Sequence, residues 1–330
     1  MSRQGFLEAV VGRPTAASIY GTGTSIACQE LMALQDAFFP EAHLQAEAMA
    51  RLALAGHTVL GLDVVMPLFG VCHEAAALGC AVNWGSPTAM PESGKPIFQS
   101  ADDIRIPADL LTGPGCAVPL AALSLLKRAL GDSAAVCAKV MGPWTLAYHT
   151  FGVENFLIGT VDDPGQTRRI LEKLLPVTLS FAKAQLEAGA DCVLLADHAT
   201  RDLCSPAAYR DFLSAMHTRI AQEIPAPVIL HICGNTSDRI GMIAQTHLAC
   251  FHYDTKTGPP GAVRQLAGDR LALMGGISNL SLLRGSPGET AHQAAEAVQA
   301  GINIVGPECA IPLATPLANL KAIARADDRD

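Results

Sequence analysis

The chemistry in this sequence concentrates at His231-Ile232-Cys233-Gly234-Asn235. The branched apolar run that leads into it from Pro227 predicts a buried strand, and Gly-Asn marks the turn that ends the strand. Strand residues two apart face the same side, so the imidazole of His231 and the thiol of Cys233 stand together at the strand's exit. Such a pair is half of a soft-metal site. Taken alone, it is more often a core histidine beside a cysteine that packs as a small hydrophobe. A third ligand is offered by Cys309, in Ile304-Val305-Gly306-Pro307-Glu308-Cys309, again just past an apolar strand-like run.

Those residues meet only if the elements that carry them share one edge. Strand-like runs occur at Ala17 to Tyr20, Val59 to Val65, Ala135 to Met141, Asp191 to Ala196, Pro227 to Cys233, Cys250 to Asp254, Leu271 to Gly275 and Ile302 to Gly306. Helical patterns separate nearly all of them, at Glu41 to Ala55, Val118 to Leu130, Pro164 to Ala188, Pro206 to Glu223, Ser237 to Thr246, Gly261 to Ala267 and Glu289 to Ala300. Alternation of this kind predicts an α/β fold with a parallel sheet, and eight strands close a (β/α)8 TIM barrel. No linker divides the chain, so residues 1–330 read as one domain. In a barrel, His231, Cys233, Asp254 and Cys309 all fall at the carboxyl rim, where such folds place their chemistry. Two thiolates and one imidazole favour zinc over the hard cations, and three protein ligands with one exchangeable position is the catalytic arrangement. The long interval Pro67 to Gly115 leaves the second strand at the same rim and reads as a lid or substrate-binding excursion.

Composition removes other classes. Of the 330 residues half are hydrophobic and 16% are charged, yet no apolar run reaches the ~18 residues of a membrane span. A formal net charge of −8 argues against nucleic acid as a partner. Met1 to Glu8 lacks a signal-peptide hydrophobic region, and the ten cysteines have no framework spacing, which suits a reducing cytoplasm. Gly21-Thr22-Gly23 lacks the lysine of a phosphate loop and reads as close backbone approach at the barrel mouth.

Several stretches carry a resemblance. Pro40-Glu41-Ala42-His43 with its helix, Glu74-Ala75-Ala76-Ala77-Leu78-Gly79-Cys80-Ala81-Val82-Asn83-Trp84-Gly85, Gly142-Pro143-Trp144-Thr145-Leu146, Gly152-Val153-Glu154-Asn155-Phe156-Leu157, His231-Ile232-Cys233-Gly234-Asn235 and Thr315-Pro316-Leu317-Ala318-Asn319-Leu320-Lys321 together resemble the methylcobalamin:coenzyme M methyltransferases. These are a corrinoid-dependent branch of the uroporphyrinogen decarboxylase superfamily. The resemblance implies a (β/α)8 barrel with amino-terminal helical elements and zinc held by His231, Cys233 and Cys309. It implies methyl transfer from a methylated corrinoid, such as methylcobalamin or a corrinoid protein, to a zinc-activated thiol such as coenzyme M. The thiolate is the nucleophile, and coordination deprotonates the thiol. It also implies a carboxylate near the metal in the thiol-free state. Asp254 would be that exchangeable fourth ligand, or simply a cap of the turn before Lys256.

The chain departs from this pattern at Glu308-Cys309-Ala310 and at Asp197-His198, both on the rim. Asp197, Asp254 and Glu308 then make an acidic mouth, and Glu74 is a candidate substrate contact or a helix-surface residue. One barrel fills the chain and no Asp-x-His-x-x-Gly pattern occurs, so the corrinoid is expected on a separate protein. Two other readings stand beside this one: a metal-free decarboxylase of a porphyrinogen-like substrate, and a non-catalytic barrel that binds a thiol or corrinoid. The sequence leaves the methyl acceptor and the oligomeric state open.

Overall fold

Continuous runs of small and branched apolar residues become parallel strands with both faces covered. The computed structural model describes residues 3–325. Its strands are β1 (Val64–Val65), a short hairpin of β2 (Val82–Asn83) and β3 (Glu92–Ser93), then β4 (Ala135–Met141), β5 (Cys192–Ala196), β6 (Val228–Ile232), β7 (Cys250–Tyr253), β8 (Ala272–Ile277) and β9 (Ile304–Pro307). Seven of them form one parallel sheet in the order β1-β4-β5-β6-β7-β8-β9, with helices between successive strands. The ends of the expected single domain, residues 1–2 and 326–330, lie outside the described residues.

The first expected strand, Ala17 to Tyr20, shrinks to one bridge, Tyr20 opposite Val305. It still occupies the gap between β9 and β1. Val305 N donates to Ile19 O and Gly21 N to Val305 O, at 2.8 and 2.9 Å. On the other side Asp63 N donates to Tyr20 O at 2.8 Å, while Tyr20 N is taken by the Asp63 carboxylate at 2.9 Å. A side chain replaces one rung of the ladder, so the pairing is local although the barrel closes. Glycine is required at this seam: a Cβ on Gly306 would lie 2.1 Å from the carbonyl oxygen of Gly21. The close approach read at Gly21-Thr22-Gly23 is therefore where the barrel shuts.

Expected helices are found with shifted limits. Glu41 to Ala55 is two helices, Glu41–Leu44 and Ala46–Thr58, because Gln45 between them is extended at φ −129°. Ser237 to Thr246 contains only the single turn Ile240–Ile243. Pro206 to Glu223 runs on, but widens into a π-helical stretch at Tyr209–Ser214. Helices at Arg3–Val10 and Gln29–Gln35 supply the expected amino-terminal elements. Among the described residues, no helix is long and apolar enough to cross a membrane.

The excursion from Pro67 to Gly115 is ordered by a buried helix, His73–Ala77, by the β2–β3 hairpin and by a turn at Ala101–Asp103 closed by a Ser100/Asp103 capping box. His43, outside the excursion, and His73, within it, both pack on its Trp84, ring centroids 5.8 and 4.9 Å from the indole. Burial lowers His43 to about 3 and His73 to about 4, so both are neutral packing groups.

Candidate metal centre

The site begins on β6. Parallel register sets His231 opposite Ala196 of β5 and His252 of β7. His231 Nδ1 lies 3.2 Å from the carbonyl oxygen of His252, which accepts its proton and leaves Nε2 as the free lone pair. That Nε2 is 3.0 Å from Cys233 Sγ, and Cys233 Sγ is 3.1 Å from Cys309 Sγ. Gly234 then turns the chain at φ +78°, packed so closely on Thr200 that a Cβ would fall 2.4 Å from its hydroxyl oxygen. Cys309 arrives from the far side of the barrel, where Glu308 N donates to Ile277 O at 2.9 Å just past β9.

His231, Cys233 and Cys309 thus offer ligand atoms that all lie within 4.8 Å of one another. A tetrahedral zinc with bonds of about 2.0 Å to nitrogen and 2.3 Å to sulfur places its ligand atoms roughly 3.5–3.8 Å apart, so small side-chain shifts suffice. The chemistry of the set also fits. Cys309 is held well below the ordinary thiol range, first by its hydrogen bond from Cys233 and then by His231, whereas Cys233 is pushed well up by the same pairing and by burial. Two sulfurs that share a proton in this way are a ready acceptor for a soft cation. His252 supports the centre from behind: its ring lies 4.5 Å from that of His231, its Nε2 is 2.8 Å from Pro307 O, and burial keeps it neutral.

Over the three candidate ligands lies a cavity of about 350 Å³. Val71, Met141, Tyr148, Val153 and Ala196 give it a mainly apolar wall, and Lys139, His149 and His198 bring cationic or protonatable groups to it. The excursion reaches this wall with Val71, Glu92 and Ser93, and Ser93 Oγ is 2.7 Å from His149 Nδ1.

The four carboxylates singled out from the sequence are placed differently. Asp197 lines the cavity but is spent: it accepts from Thr145 N at 2.8 Å, Thr145 Oγ1 at 3.1 Å and His217 Nε2 at 3.1 Å. Asp254 accepts from Gly234 N at 2.8 Å and Lys256 N at 2.9 Å, which makes it the cap of the Thr255–Thr257 turn. Glu308 binds Asn279 N at 2.8 Å, Thr255 N at 2.9 Å and the Thr255 hydroxyl, tying β9 to its neighbours. Glu74 is 1% exposed and accepts from Met141 N at 2.7 Å, bracing the end of β4. Asp254, Glu308 and Glu74 lie off the cavity wall, and backbone N–H groups absorb the charge that looked like an acidic mouth.

Burial raises Glu74 to about 7 from 4.5. The folded chain therefore holds a proton there that the unfolded chain has lost, so the contribution of Glu74 to stability falls as pH rises from 4.5 to about 7 and is level above. Glu74→Gln keeps the acceptor for Met141 N without the titration. Buried neutral histidines such as His43 and His73 gain stability over the same window in both proteins, so the reading is the difference between them: urea unfolding at about pH 5 and about pH 8 should show the stability of the wild type relative to Glu74→Gln falling by on the order of 2–3 kcal/mol. An equal change in both would show that Glu74 titrates normally.

Sequence reasoning missed Lys139, Thr145, Tyr148, His149 and His252. A lone lysine inside the apolar run Ala135–Met141 was the available signal for the first, and a histidine inside Cys250–Tyr253 for the last. The other three sit on the helix Pro143–Phe151, which follows β4 at once because Gly142 and Pro143 open it.

A parallel barrel with a His-x-Cys pair and a distant cysteine converging over one cavity defines a class. The family described as uroporphyrinogen decarboxylase (URO-D) matches residues 1–329, and the chain belongs to it. Within that family it is an enzyme of the methyltransferase kind. It is 33% identical over 299 residues to a methylated-thiol–coenzyme M methyltransferase of Methanosarcina mazei, covering 90% of this chain and 81% of the relative. It is 30% identical over 325 residues to the methylcobamide:CoM methyltransferase MtaA of Methanosarcina barkeri, covering 98% and 96%. A solved methyltransferase structure from Methanosarcina mazei superposes with a TM-score of 0.95 at 30% identity, covering 99% of this chain and 98% of that one.

Proposed function

We propose that this chain is a single barrel domain spanning residues 1–330 that moves a methyl group from a methylated corrinoid to a small thiol at a zinc centre formed by His231, Cys233 and Cys309. The observation that carries the reading is the convergence of one imidazole and two thiols, from β6 and from beyond β9, at the floor of a cavity of about 350 Å³. Zinc bound there supplies an electrophilic centre that holds the acceptor sulfur as thiolate.

The residues divide the remaining work. His231 presents Nε2 because its Nδ1 proton is committed to His252 O. The apolar wall excludes water, which raises the nucleophilicity of a sulfur held at its floor. The new S–CH3 bond forms as the cobalt–carbon bond breaks, its electron pair staying on cobalt, and the thiol proton leaves to solvent. A cavity of this size admits a small thiol but not a corrinoid macrocycle, so the donor presents its methyl group from outside. That geometry suits a separate corrinoid protein. The relatives' names make coenzyme M the first acceptor to test. All ten cysteines are free, which fits the reducing cytoplasm proposed as its compartment. A metal-free decarboxylase leaves the paired thiols without a task.

Elemental analysis of protein washed with chelator and reloaded with zinc tests the reading. About one zinc per chain is expected, together with zinc-dependent demethylation of methylcobalamin by coenzyme M followed by absorbance. Protein that takes up no zinc, or that demethylates equally without it, would sink the proposal.

A further inference from the structure

Lys139 lines the site but has no task in the transfer described so far. It stands on β4, is 3% exposed, and lines the cavity beside His231, Cys233 and Cys309. No other lysine or arginine among the described residues lines that cavity. The Lys139 ammonium donates to the carbonyl oxygens of Leu68 and Gly70, each at 3.0 Å. Both are neutral acceptors, and the third N–H is unused by them. A buried ammonium costs several kcal/mol unless a countercharge faces it. Burial pulls Lys139 down from its usual range, and the groups that act to hold it charged are Cys309 first, then Glu74, Cys233 and Cys72. Glu74 spends its carboxylate on Met141 N and lies off the cavity wall, whereas the sulfurs of Cys233 and Cys309 line the same cavity as Lys139.

Charge counting shows what the ammonium favours. Two thiolates and a neutral imidazole just cancel a divalent cation. An acceptor thiolate then adds one uncompensated negative charge, and methylation of its sulfur removes it again.

We propose that Lys139 is the fixed countercharge of the sulfur cluster, a positioning residue that stabilises the anionic state with the acceptor thiol bound and gives nothing to the neutral thioether product. This inference rests on the zinc–thiol reading above. It assigns Lys139 a discrimination between substrate and product that needs no contact with the rest of either molecule.

The test compares two ligands with one tail. Coenzyme M and its S-methyl thioether share the sulfonate, so any effect on the tail cancels. Calorimetric titration of the zinc-loaded wild type, Lys139→Met and Lys139→Gln should show thiol affinity falling about ten- to a hundred-fold in both variants. Thioether affinity should stay within about twofold of the wild type, and zinc content should be unchanged. Lys139→Gln keeps a donor for the Leu68 and Gly70 carbonyls and so guards against a variant that simply misfolds. Equal losses for thiol and thioether, or undiminished thiol binding in the variants, would overturn the assignment while leaving the zinc–thiol reading intact. A zinc-loaded wild type that binds no thiol would bring down both.

Discussion

Cys309→Ala is expected to abolish stoichiometric zinc binding and to lower methyl transfer at least about a thousand-fold, beyond the roughly 10–100-fold typical of losing an outer-shell partner. Two ligands remain in that variant, His231 and Cys233, and both come from one strand exit. A His-x-Cys pair alone leaves a divalent cation half open to water, whereas the third ligand arrives from the opposite part of the sequence, past β9. The fold should tolerate the change. Cys309 is half-buried at the rim and contributes little to the barrel interior, so thermal unfolding should move by no more than about 1 kcal/mol equivalent. Metal analysis alongside circular dichroism separates the two effects. Full zinc occupancy in Cys309→Ala would remove this residue from the centre and return the fourth-ligand question to Asp254.

Asp197→Ala should behave in the opposite manner, with a large loss of stability and zinc affinity largely retained. Its carboxylate is 1% exposed and satisfies Thr145 N, Thr145 Oγ1 and His217 Nε2. The network extends further, since Thr145 Oγ1 accepts from His198 N at 2.7 Å and His217 Nδ1 lies 3.0 Å from Tyr209 OH. Removing the carboxylate strands several buried donors at once, a cost on the order of 3 kcal/mol. Gly142 shows how tightly the group is seated, because a Cβ there would lie 2.2 Å from Asp197 Cγ. Denaturant midpoints and zinc content measured on the same preparation decide the matter. An Asp197→Ala protein of wild-type stability whose thiol affinity alone has fallen would make Asp197 a substrate contact.

Much of this architecture was legible residue by residue. Ala135 to Met141 and Pro227 to Cys233 are apolar runs broken only by Lys139 and His231, as burial on both faces demands, and their limits agree with β4 and β6 to within a residue at either end. Ala17 to Tyr20 was not legible as a one-residue bridge, because its shortness depends on Asp63 supplying a side-chain oxygen where a ladder carbonyl would stand. The helix read over Ser237 to Thr246 shortened for a comparable reason. Thr236 is tied to Thr257 at 3.0 Å, and Arg239, fully buried, donates to Ala199 O and Cys204 O at 2.6 Å each, so side chains hold this connection together.

The same division runs through the site. Local sequence sufficed for the pair His231 and Cys233, since a strand's two-residue period puts both on one face whatever surrounds them. It sufficed, too, for the rim position of Cys309, which follows from its place after the last apolar run. Only the tertiary structure decided that the three candidate ligand atoms converge, that Asp254 and Glu308 spend their oxygens on backbone N–H groups, and that Lys139 lines the same cavity. Ligand types are written in single residues and periodicity, but distances between strands, and the partners that neutralise a buried charge, depend on segments brought together only when the barrel closes.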